Sequence, residues 1–245
     1  MSSSPFIPLL GLVALALSLA ACQRPPADQP PVAFERSISE TRSEGCDGEH
    51  CPLVNIDVLR FPGEPELERL IDRRLRQLAR HGDEPIPPSL EAHRQAFLAS
   101  ARDDWSSWLQ AAIRDWHGQV LVIELSSYRD LGDTTGHPGR GFINYDRAAK
   151  RELRLQDALL PGREGAFWRL AEQAHRDWVR QQHPERIVEF RAAWPFRPTP
   201  HIALLRDRVL LKYDVRQIAP YDNGHPEISV PHSRLTDILR PEFLR

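Results

Sequence analysis

Ile202-Ala203-Leu204-Leu205-Arg206-Asp207-Arg208-Val209-Leu210-Leu211-Lys212-Tyr213 decides the fold class. Two apolar runs flank a charged Arg206-Asp207 turn, which reads as an antiparallel hairpin. Downstream, Tyr221-Asp222-Asn223-Gly224 marks a turn, because Asn and Gly tolerate positive φ. Ile228 and Val230 then alternate as on a short strand, and Ser233 is placed to cap a last short helix carrying Leu235, Ile238 and Leu239. Upstream, Phe167, Leu170, Ala171, Ala174 and Trp178 recur at helical spacing over about 18 residues. Before them come a strand over 139–145, a turn over 146–150 and a strand over 152–155. Helices and hairpins mixed without βαβ regularity predict an α+β fold, with antiparallel sheet hairpins and helices packed on one face.

The N-terminal half fits that class. Val54, Ile56 and Val58 alternate as on a strand. Pro65 opens a helix whose apolar stripe is Leu67, Leu70, Ile71, Leu75 and Leu78, with Gly82 as a stop. The arginines between them read as a solvated face balanced by Glu64, Glu66, Glu68 and Asp72. A second helix starts near Ser89 and buries Leu90, Phe97, Leu98, Ala101 and Trp105. His117-Gly118 reads as a hairpin turn before a strand over 120–125, and 108–116 is ambiguous between strand and helix. Trp105, Trp108 and Trp116 are expected in the core.

At the N-terminus an apolar run from Phe6 to Leu19 leads into Leu19-Ala20-Ala21-Cys22. The run is shorter than the about 20 apolar residues a comfortable membrane span needs. It resembles a bacterial lipobox, in which the chain is cut before the cysteine and lipid joins the thiol. One departure is the absence of Lys or Arg before the apolar run. This assigns 1–21 to a lipoprotein signal peptide and Cys22 to lipidation. Residues 22–52 then form a tether, with the Pro-Pro pairs at 25–26 and 30–31 keeping its start extended. Residues 36–52 are expected to be loosely ordered outside a Cys46–Cys51 loop, and the folded body is expected to begin near Leu53. In an oxidising compartment Cys46 and Cys51 can bridge. A metal site with His50 and Asp47, or free thiols, are the alternatives.

Hydrophobic residues at 41% and charged ones at 27% suit a water-soluble globular body. A net charge of −2 leaves no large electrostatic footprint for nucleic acid. Lys150 and Lys212 are the only lysines, which reads as base composition rather than a binding signal. The sequence holds no His-Glu-x-x-His, no Gly-x-Ser-x-Gly and no Gly-rich phosphate loop, and no cofactor or metal is implied. His137, His183 and His225 each precede Pro, which favours a structural role in extended turns; a cluster of His137 and His225 with Asp133 or Glu227 is the sharper alternative.

The string Ile218-Ala219-Pro220-Tyr221-Asp222-Asn223-Gly224-His225-Pro226-Glu227-Ile228-Ser229-Val230-Pro231 is similar to the C-terminal domain of the RsiV-like family of bacterial envelope proteins. The hairpin over 204–213, Asn144-Tyr145-Asp146 and Glu152-Leu153-Arg154-Leu155-Gln156-Asp157 carry the same resemblance. Residues 54–79 more weakly resemble the companion domain seen in PdaC-type deacetylases. The expected layout is therefore a PdaC-like α+β subdomain over 53–135 and an RsiV-like domain over 136–245. Where that family often has Thr-Gly-Gly-Ala-His, this chain has Asp133-Thr134-Thr135-Gly136-His137. Thr resists positive φ, so the loop is expected to take another path.

The resemblance implies two settings, a lysozyme-binding outer domain of anti-sigma factors and a module beside a polysaccharide deacetylase. With cleavage before Cys22, the expectation is the outer module alone. It would sit in the bacterial envelope on the periplasmic side, held by its lipid, with the outer membrane favoured because Gln23 follows the cysteine. The leading expectation is a noncatalytic binding module for lysozyme or a peptidoglycan-related ligand. The alternatives are a hydrolase or deacetylase-like enzyme on envelope glycans, or a scaffold for another envelope complex. Candidate ligand-binding residues are Asp133, His137, Tyr221, Asn223 and His225, although Tyr221 can equally pack inward and pin its turn.

Overall fold

The computed structural model describes residues 32–133 and 135–244. Cys22, the signal segment and the start of the tether lie outside the described residues. Within them, nine strands form two sheets, accompanied by five helices, and the architecture is α+β.

The first sheet has the order β1 (Glu35–Arg42), β2 (Leu53–Arg60), β3 (Ser106–His117), β4 (Val120–Asp130), β5 (His137–Asp146), β6 (Arg151–Leu153). All its neighbours are antiparallel except β2 and β3, which run parallel. That exception arises because α1 (Pro65–Ala79) and α2 (Leu90–Ser100) intervene and carry the chain back to the same end. The stretch left ambiguous between helix and strand belongs to β3. Strands β3 and β4 join through Gly118 at φ 52°, the left-handed conformation that lacks a Cβ penalty in glycine.

Strand β1 corrects the expectation of loose order before Leu53. Its sequence, ERSISETR, has a single apolar side chain, Ile38, so no hydrophobic pattern announces it. It forms because its backbone pairs with β2 from Glu35↔Arg60 to Arg42↔Leu53. Arg36 adds a two-pronged bond to Asp57 at 2.8 and 2.6 Å. The link between β1 and β2 is closed by the Cys46–Cys51 disulfide, with an S–S distance of 2.07 Å.

Helix α1 lays Leu67, Leu70, Ile71, Leu75 and Ala79 on one face of this sheet, against Val58, Leu109, Leu121, Ile123, Leu125 and Ile143. Each large aliphatic side chain removed from water there contributes roughly 1.5–3 kcal/mol. The Ser89 hydroxyl caps α2 by accepting from Ala92 N at 3.0 Å, a bond worth about 1 kcal/mol. Glu64, just before α1, is buried. Its carboxylate accepts from Lys150 Nζ at 2.6 Å and from Tyr145 Oη at 3.3 Å.

The second sheet is β7 (Ile202–Leu204), β8 (Arg208–Lys212), β9 (Glu227–Pro231), in that order and antiparallel. Helix α4 (Glu164–Gln182) packs Phe167, Ala171 and Ala174 over it. A short α3 (Leu155–Ala158) precedes α4, and α5 (Ile187–Ala193) follows, seating Phe190 with Val179 and Ala219. Val120, Val122 and Phe142 of the first sheet share this core. The domain boundary expected at 135/136 falls between β4 and β5, which pair from Val120↔Asp146 to Arg129↔His137.

Polar groups also join the sheets. The Asn144 amide donates to Ile202 O at 2.8 Å while its oxygen accepts from Leu204 N at 2.7 Å. Lys212 Nζ donates to Glu124 at 2.5 Å and to Glu227 at 2.9 Å, and Arg114 bonds the same two carboxylates at 3.1 Å each. This closed ring of two cations and two anions draws on β3, β4, β8 and β9.

The last helix expected from Ser233 is not formed. Short 3-10 turns at His232–Arg234 and Pro241–Phe243 stand there instead. A turn over 236–238 follows, and backbone bonds from Leu160 N to Ile238 O and from Arg240 N to Ala158 O pin the segment to the end of α3. Leu235, Ile238 and Leu239 are still buried.

Candidate functional site

The helices cover one face of the first sheet, and the second sheet covers half of the other. What remains is an open half-face where β1 to β5 present alternate side chains to solvent. Register builds it in rows. One row is Glu40, Asn55, Trp108, Tyr128 and Pro138; the next is Ile38, Asp57, Gln110, Ser126 and Arg140. A hollow of about 350 Å³ lies over these rows. That is within the usual range for small-ligand sites.

Trp108 and Tyr128 are direct cross-strand partners, yet 41% and 38% of their surfaces remain exposed. Trp108 therefore corrects the expectation that it lies in the core. Leu109 and Ala111 take the inward phase of β3, so Trp108 and Gln110 must point outward. Trp105 and Trp116 are partly buried.

The polar floor is ordered before any ligand arrives. Arg36 and Gln110 both donate to Asp57, Gln110 Nε2 at 3.0 Å. The Arg36 bond holds the Asp57 carboxyl below its usual pKa. The Tyr128 phenol is pushed up, first by burial and then by the negative charge of Asp130 and Asp133. Tyr128 thus stands beside the nominated segment over 133–137. Gly136 is pressed so closely on its hydroxyl end that a Cβ there would overlap the ring.

The five nominated residues are not brought to one point. His137 Nε2 and Asp133 Oδ2 pair at 2.7 Å, with the His81 ring against His137 at 4.4 Å. Tyr221 is half-buried under the Arg216 guanidinium, 5.2 Å from the ring centre. Asn223 Nδ2 donates to His183 Nε2 at 3.3 Å. His225 turns inward and donates from Nδ1 to the Tyr213 carbonyl at 3.0 Å. Burial, then the Arg140 charge, holds its pKa down. Among the described residues, no group of three His, Cys, Asp or Glu side chains converges as a metal site would require.

Sequence reasoning missed Arg36, Asp57, Trp108, Gln110, Tyr128 and Arg140. The available signal was a Trp in the polar phase of an alternating run, Ser107-Trp108-Leu109-Gln110-Ala111.

Comparison with solved structures places this arrangement. A DUF3298 family protein from Pseudomonas aeruginosa PAO1 is 48% identical, and the match covers 87% of this chain and 97% of that one at a TM-score of 0.82. The chain belongs to the DUF3298 family. The family's own description, protein of unknown function, matches residues 157–233, which run from α3 to the end of the second sheet. A DUF3298 member from Bacteroides fragilis NCTC 9343 is 14% identical, covers 86% of this chain and 95% of that one, and has a TM-score of 0.68. At that identity the likeness shows the shared fold alone. Comparison with curated proteins gives no match.

Proposed function

We propose that this DUF3298 protein is a noncatalytic binding module, held on the periplasmic side of the envelope by lipid on Cys22. Its open sheet face would take a peptidoglycan-related glycan. The carrying observation is the pair Trp108 and Tyr128, exposed side by side above a preformed Arg36–Asp57–Gln110 floor. Aromatic faces pack against the C–H face of a sugar ring, while amide, guanidinium and hydroxyl groups at the rim meet its hydroxyls. The lipobox resemblance and the RsiV-like C-terminal string support the same address.

The test is titration of the purified protein with N-acetylglucosamine oligosaccharides and with soluble peptidoglycan fragments, read by tryptophan fluorescence. Trp108→Ala should weaken binding by roughly ten-fold or more, as loss of a central aromatic anchor does. Gln110→Ala should weaken it several-fold. Absence of saturable binding to both ligand sets, together with retention on immobilised lysozyme, would replace the glycan by a protein partner. Mass spectrometry of the native protein tests the address, with an acylated Cys22 as its new N-terminus.

A further inference from the structure

A second, larger hollow of about 530 Å³ lies along the edge of β5, between α1 and the segment that leads into β7. Strand β6 covers only Asn144, Tyr145 and Asp146, so β5 from Gly139 to Ile143 has β4 on one side and no strand on the other among the described residues. The direction of its free backbone groups follows from the ladder. Arg147 N donates to Gln119 O at 3.0 Å, so odd-numbered residues of β5 bond β4. The β4–β5 register runs without a shift from Asp146 to His137. Antiparallel pairs alternate, so the N–H and C=O of Arg140 and Phe142 point into the hollow. An open edge of this kind is a template for strand addition.

The strand is also stripped of bulk there. Gly139 and Gly141 flank Arg140, and a Cβ at Gly139 would meet Ser127 Oγ and come within 3.2 Å of Leu78. The lining carries Arg74, Arg140, Arg154 and one carboxylate, Glu152. Arg74 takes that carboxylate at 2.7 Å. Neither Arg140 nor Arg154 has a carboxylate within salt-bridge distance among the described residues.

We propose that this groove binds an extended acidic peptide, which adds as a strand to the free edge of β5. Main-chain bonds to Arg140 and Phe142 hold the peptide in register, and its acidic side chains face Arg154 and Arg140. About five residues of strand, roughly 17 Å, span the open edge. This site adjoins the aromatic face at Arg140, which lines both hollows, but it does not depend on the glycan reading.

The experiment uses the whole protein and two fluorescein-labelled octapeptides, one alternating Glu with Val and one alternating Lys with Val. Anisotropy should show saturable binding of the Glu peptide and at least ten-fold weaker binding of the Lys peptide. Arg154→Ala, at an exposed position, should weaken the Glu peptide several-fold, and Arg154→Glu further. Trp108→Ala should leave it unchanged. Hydrogen exchange with the Glu peptide bound should slow the Arg140 and Phe142 amides. Equal binding of the two peptides, no binding of either, or binding without protection of those amides would overturn the proposal. Loss of glycan binding with peptide binding intact would sink only the reading of the aromatic face.

Discussion

Replacing Lys212 by Met tests what joins the two sheets. Lys212 is buried and its ammonium sits between Glu124 and Glu227. Removing one partner of a buried ion pair costs roughly 3–5 kcal/mol, because the other charge is left uncompensated. Here the carboxylate side chains keep 19% and 33% exposure, and Arg114 still bonds both. Solvent and the remaining guanidinium therefore reduce the expected loss to about 2 kcal/mol. The assay is urea unfolding followed by tryptophan fluorescence, with an unchanged slope and a lower midpoint. Glu124→Gln placed on top of Lys212→Met should recover about 1 kcal/mol, since it removes the charge that lost its partner. If the two single losses add, or if Lys212→Met costs under about 0.5 kcal/mol, the ring is not what couples the sheets.

Three further outcomes follow from separate features. His93 is buried against Ser107 Oγ at 2.9 Å, and burial pushes its imidazole from 6.5 down to about 4. The unfolded chain then holds the extra proton between those pH values, so this contribution is full above pH 6.5 and falls by up to ~3 kcal/mol as pH drops toward 4. His93→Gln should flatten urea midpoints measured across that window, and an unchanged slope would contradict the assignment. Reducing the Cys46–Cys51 disulfide should cost about 2 kcal/mol by loop entropy, read as a lower urea midpoint with reductant that Cys46→Ser/Cys51→Ser reproduces. Gly136→Ala should displace the Tyr128 ring and weaken glycan binding without loss of global stability, because the overlap is confined to that phenol; intact binding would show that Tyr128 is not a contact.

Much of the fold can be read from the chain where apolar side chains keep period. The stripe from Leu67 to Leu75, the hairpin around Arg206-Asp207 and the Asn223-Gly224 turn all form as their residues predict. Strand β1 escapes because its stability comes from backbone pairing and the Arg36–Asp57 bond, neither of which leaves a hydrophobic pattern. Helix α5 escapes because it has only seven residues and is held by tertiary contact of Phe190 with Val179 and Ala219. The parallel pairing of β2 with β3 is a property of the crossover and not of either strand. The open face was harder still. Its side chains come from five strands spread over residues 36–140, and no local spacing brings Asp57 beside Gln110. Of the histidines that stand out in sequence, His137 opens β5, His183 ends α4, and His225 serves its own backbone neighbourhood.

The chain has two lysines, and each has its ammonium on a carboxylate: Lys150 on Glu64, Lys212 on Glu124 and Glu227. Lys212 is buried, so amine-directed reagents have a single accessible lysine handle on the folded body, Lys150. Succinimide-ester cross-linkers would return few partner links even from a genuine complex. Random amine coupling to a biosensor chip would go through Lys150, which is exposed, and would leave the buried Lys212 of the inter-sheet joint untouched. Partner searches on this protein are better run with photoactivated or carboxyl-directed chemistry.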